Sequence, residues 1–205
     1  TILRSSISNN VSILGGGIAV EGAFASLVLD DNSFVGLDGA NPANGASGIG
    51  PALGLGGGIF CSGGQVTIID ARVRGNGASD DGGGIHLDNC DLTIEPRADF
   101  IAQVGSAIVQ QNQAAGNGGG LYAGGGSNVF WRSQPVGSFA GRMVGNAAAD
   151  RGGAVFLSGA SNFVGDWIRT DDSRADGRGG AYAVQGGSNL ILRGGENYRC
   201  TTTNC

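Results

Sequence analysis

Apolar residues recur along this chain in short alternating runs, each led by a cluster of glycines. Six such runs stand out: GGGIAV from Gly15, GGGIFC from Gly56, GGGIHL from Gly82, GGGLYA from Gly118, GGAVFL from Gly152 and GGAYAV from Gly179. Ile18/Val20, Ile59/Cys61, Ile85/Leu87, Leu121/Ala123, Val155/Leu157 and Tyr182/Val184 alternate with a period of two, which places each pair on the inward face of a short strand. No segment carries a helical period. The runs start 41, 26, 36, 34 and 27 residues apart. A fixed motif at variable spacing is what loops inserted into a solenoid produce, so the pattern predicts an all-β, single-stranded parallel β-helix of about six coils.

Polar positions fall into the same register. Six residues before the leading glycine stand Asn9, Asn76, Asn112 and Asn146, with Ser173 in the equivalent place of another unit and Gly50 in the Gly56 unit. After the motif, GSNV, ASNF and GSNL align Asn128, Asn162 and Asn189. Stacked at the strand spacing of about 4.8 Å, such asparagines can hydrogen-bond along a column and satisfy corner backbone that would otherwise be buried unpaired. Between the inward positions of the glycine-led strands stand Phe60, His86, Tyr122 and Phe156, which predicts a ladder of rings on an outward face. That ladder is either packed on itself, covered by an inserted loop, or a flat strip for a partner.

Composition narrows the picture. The chain has 205 residues and 42 glycines, yet 40% of it is hydrophobic, too much for a disordered tract. All twelve basic residues are arginine, and the net charge is −5. An acidic chain without a basic cluster is not expected to bind nucleic acid. No apolar run approaches the roughly 18 residues of a membrane-spanning helix. Among the cysteines Cys61, Cys90, Cys200 and Cys205 there is no CxxC pair, which argues against zinc; Cys200 and Cys205 are close enough to close a small terminal loop.

The unit NGASDDGGGI (Asn76–Ile85), with NQAAGNGGGL (Asn112–Leu121) and NAAADRGGAV (Asn146–Val155), resembles the repeats of chlamydial polymorphic outer-membrane proteins and related right-handed β-helix surface proteins. The family's F-x-x-N element is matched loosely, by Val73, Val109 and Met143. The resemblance covers nearly the whole chain, 1–205, as one β-helix domain. It implies a right-handed β-helix, an extracellular or cell-surface location, and a role as the exported, often adhesive passenger of an autotransporter.

Candidate chemistry is sparse. The absence of lysine excludes a P-loop. The acidic pairs Asp30-Asp31, Asp80-Asp81 and Asp171-Asp172 lack EF-hand spacing and read as solvated turns, with calcium binding left open. A glycan-cleaving β-helix would need clustered carboxylates or a strong base; the single His86 is followed by Leu87, and Arg72, Arg74 and Arg97 read as surface charges. The expectation is therefore no enzyme and no cofactor, but a structural or adhesive module presenting its aromatic face and its loops near 36–55, 95–108 and 133–142. The alternatives are a self-assembling filament subunit and, third, a polysaccharide lyase or hydrolase. Expected partners are a protein or glycan of a host or neighbouring cell, or further copies stacked end to end, with no membrane insertion of this segment.

Overall fold

The computed structural model describes residues 1–36, 43–48, 53–96, 108–133 and 141–194. Among the described residues, the chain visits four parallel sheets in a repeating cycle, as a parallel β-solenoid does. The first sheet has seven strands, from Ile2–Leu3 through Ser26–Asp30, Gln65–Ile69, Asp91–Glu95, Asn128–Arg132 and Asn162–Asp166 to Asn189–Arg193. The other three have six each. The second runs from Ser6–Ile7 to Ile168–Asp171 and the third from Val11–Ser12 to Arg174–Ala175. The fourth holds the glycine-led strands, from Ile18–Glu21 to Tyr182–Val184.

Register is unbroken, so each interior position is a column. Ile18, Ile59, Ile85, Leu121, Val155 and Tyr182 pair in sequence on the fourth sheet. Leu27, Val66, Leu92, Val129, Phe163 and Leu190 do so on the first. These columns fill the core, where Leu29, Ile59, Ile85, Leu92, Trp131 and Phe163 have at most 1% of their surface exposed. Burying one such side chain contributes about 1.5–3 kcal/mol. Cys61, in an inward column, forms a disulfide with Cys90 of the following circuit. Cys200 and Cys205 lie outside the described residues.

Each residue of the glycine triplet meets a different constraint. Gly82 turns the chain at φ +70°, a conformation costly for a residue with a Cβ. A Cβ on Gly83 would sit 2.3 Å from the Gln113 carbonyl oxygen of the third sheet. At Gly84 it would sit 2.9 Å from the Asn112 side chain. The same third-position contact joins Gly17 to Asn44, Gly58 to Asn76 and Gly120 to Asn146. The next pair in the series is Ala154 and Ser173: where the partner shortens from asparagine to serine, the glycine has become alanine.

The buried asparagine ladder is one register step away from the expected one at its start. It runs Asn10, Asn44, Asn76, Asn112, Asn146. Asn9, expected in the column, instead holds φ +59° just outside it. The first unit has one residue fewer between its asparagine and Gly15 than the Asn76 unit has before Gly82. Asn44, not Gly50, serves the Gly56 unit. The chain between Asn44 and Gly56 is longer than in the other units, which hides the match in sequence.

Candidate functional site

The expected ring column forms. Phe60 and His86 stack with centroids 5.5 Å apart, His86 and Tyr122 at 4.5 Å and 4° between planes, and Tyr122 and Phe156 at 5.4 Å. It lies on the outer side of the fourth sheet, yet it is not a presented strip: Phe60, His86 and Phe156 are only 6%, 5% and 3% exposed. Tyr122 is half-buried, with its hydroxyl 3.1 Å from that of Ser158. The cause is local. Before the glycine-led strands that start from Gly82, Gly118 and Gly152 the chain makes a short excursion, Ser79–Gly82 in one circuit, that returns against the ring: the Gly82 Cβ position is 2.7 Å from the His86 Cβ. The imidazole hydrogen-bonds the Asp81 backbone, and its Nδ1 has no partner. Burial lowers the His86 pKa to about 4, against the opposing effect of that hydrogen bond.

The excursions stack into a ridge whose crest carries acid groups. The Asp81 carboxylate accepts from the Asn117 backbone N–H at 2.6 Å and from its Nδ2 at 3.0 Å. Burial raises the Asp81 pKa, Asp80 and Asp150 add to that, and the Asn117 hydrogen bonds oppose it. Burial also raises that of Asp80. Among the described residues, no group of three or more His, Cys, Asp or Glu side chains is placed to hold a metal ion. Arg4 pairs with Asp31 at the surface, whereas Arg169 pairs with Asp171, which is buried at the end of its strand and not solvated as expected.

A second asparagine column lies on the outer face of the first sheet. Asn189 Nδ2 donates to Asn162 Oδ1 at 2.9 Å, Asn162 to Asn128 at 3.0 Å, and Asn128 to Asp91 at 3.0 Å. Asn128, Asn162 and Asn189 therefore align as the sequence predicts. Beside them run two further outward columns. One is Thr67, Thr93, Phe130, Val164 and Ile191; the other pairs Ile69 with Glu95 on the earlier strands and Arg132, Asp166 and Arg193 on the later ones. Phe130 and Ile191 are 42% and 43% exposed. The period-two alternation of NVFWR, NFVGD and NLILR was the available signal. Asparagines, Phe130, Val164 and Ile191 line a shallow groove of about 480 Å³. The loops near 36–55, 95–108 and 133–142 fall largely outside the described residues, as does Arg97.

No protein-family model matches the chain, no curated protein is similar to it, and no solved structure matches it.

Proposed function

We propose that this chain is a right-handed parallel β-helix of about six coils that works outside the cell as a structural and adhesive module. The observation that carries the reading is the outer face of the first sheet. There, exposed Phe130 and Ile191 lie beside amides with hydrogen-bonding capacity to spare, on a frame whose interior columns are closed. Rigid presentation of a few exposed side chains suits recognition, because little conformational entropy is lost on binding. The buried Cys61–Cys90 disulfide supports an oxidising compartment. The ring column serves as packing in this reading, and the binding surface moves to the first sheet. The test is retention of beads coated with the chain on surfaces bearing glycans or extracellular proteins. Retention above that of uncoated beads is expected; none on any surface sinks the adhesive role.

A further inference from the structure

We infer that the C-terminal half of the first sheet's outer face binds a linear acidic polysaccharide, laid along the solenoid axis across the Asn128, Asn162 and Asn189 amides. The inference rests on the adhesive reading and names its ligand class.

Three features converge on it. In the ladder, the Asn162 carboxamide uses one N–H and one lone pair, toward Asn128 and Asn189. An amide has two of each, so one donor and one acceptor remain for a ligand. These amides repeat at the strand spacing of about 4.8 Å, so a ligand that engages several of them is itself a repeating chain. Hydroxyl-rich units suit groups that both donate and accept.

The adjoining column gives the apolar partner. Phe130, Val164 and Ile191 form the floor beside the amides, in a groove open along the axis. A sugar ring has C–H faces for such a floor and hydroxyl edges for the amides, the mixture that ligand grooves generally offer. Trp167, at the corner after Asp166, is 39% exposed with φ +55°. That region is rare for a bulky residue. Its indole lies against Gly194, where a Cβ would come within 2.6 Å of the ring, so a second aromatic surface flanks the face.

Charge decides between neutral and acidic ligands, and between the two halves of the face. The outward positions of Ser26–Asp30, Gln65–Ile69 and Asp91–Glu95 include Asp30, Asp91 and Glu95 and no base. Those of Asn128–Arg132, Asn162–Asp166 and Asn189–Arg193 include Arg132 and Arg193 with the single acid Asp166. Arg193 reaches Asp166 only loosely, at 3.9 Å. In a chain of net charge −5, this half-face is where a carboxylated polymer finds guanidinium groups.

Calorimetric titration of the intact chain with an oligogalacturonate, and with a neutral oligoglucose of equal length, tests this. Saturable binding of the oligogalacturonate is expected, weakened by added salt, with the neutral oligomer at least ~tenfold weaker, about 1.4 kcal/mol. Phe130→Ala and the pair Arg132→Gln with Arg193→Gln should each lower affinity ~tenfold or more, with melting unchanged. Phe24→Ala, which removes a fully exposed ring away from this face, should leave it intact. Equal binding of the neutral oligomer, no saturable binding of the acidic one, or unaltered affinity in both groove variants overturns the proposal. If coated beads still adhere to protein-bearing surfaces while the uronate fails, the ligand assignment falls and the adhesive reading stands.

Discussion

The two asparagine columns use the same residue at the same spacing and do opposite things. In the inner column, Asn76, Asn112 and Asn146 are fully buried. Asn112 Oδ1 accepts from both the Asn76 backbone N–H and its Nδ2, at 2.9 and 3.0 Å. Its Nδ2 donates to the Val73 carbonyl and to Asn146 Oδ1. Every donor and acceptor of the amide is committed. In the outer column, Asn128 and Asn162 are partly exposed, Asn189 is exposed, and half of each central amide's capacity is spare. Burial, not residue identity, separates a structural strut from a surface able to bind, because only the buried amide has no water to replace a lost partner.

The sharpest way to break this comparison is Asn112→Ala. It strands the Asn76 N–H groups and the Val73 carbonyl in the core. At about 1–3 kcal/mol for each stranded group, the loss should reach about 3 kcal/mol or more, read by urea denaturation. A midpoint like that of the parent chain would show that the inner column is not a strut.

The buried ring beside it gives an effect of similar size that depends on pH. His86 titrates near 4 when folded and near 6.5 when unfolded. Below the unfolded value the unfolded chain takes up a proton that the folded chain refuses, so stability falls as pH drops from about 6.5 to about 4 and then levels. The gap corresponds to about 3 kcal/mol. The raised Asp80 and Asp81 values act in the opposite sense at acid pH. The measurement is therefore the difference between the parent chain and His86→Phe, which should grow across that window. A flat difference would place the imidazole in water.

Gly84→Ala should cost about 1–3 kcal/mol by driving a methyl against the Gly120 carbonyl oxygen and into the Asn112 amide. Added to Asn112→Ser, it should cost less than the two changes summed, since Ala154 and Ser173 already coexist at this place. Strict additivity in a double-mutant cycle would deny the contact. The smallest effect belongs to the outer column: Asn162→Ala should shift stability by no more than about 1 kcal/mol, because water takes the vacated bonds. A loss as large as that of Asn112→Ala would erase the distinction between the columns.

Much of this architecture was legible in the sequence, because repetition converts a weak local signal into a register. The alternation after each glycine triplet gave the fourth sheet and its inward columns, and it gave the ring stack. Three things escaped for physical reasons. Asn10 and Asn44 were missed because the hydrogen-bond register counts strand positions, whereas the sequence counts residues across loops of unequal length. The alternation placed the rings outward and left open whether they are covered or presented to a partner. They are outward, but the excursion that buries them returns through backbone at Gly82, and backbone leaves no mark on hydropathy. The Cys61–Cys90 pair joins neighbouring circuits, a proximity that exists only once the register is set. The groove on the first sheet was half visible: its asparagines were aligned, but Phe130, Val164 and Ile191 were not recognised as one column.

The contact between the third glycine of one circuit and the asparagine of the next has a consequence for how such a chain can grow. Gly84 belongs to one repeat and Asn112 to its successor, so a repeat cut from asparagine to asparagine is severed through a joint. Duplication or exchange leaves the joint intact only when the socket brought by one repeat accepts the plug of the next. A glycine socket takes asparagine. The alanine socket at Ala154 takes the shorter serine, so an asparagine repeat spliced after it meets a methyl where its amide should sit. Repeats joined this way are not interchangeable beads: the order of circuits is written into the joints between them.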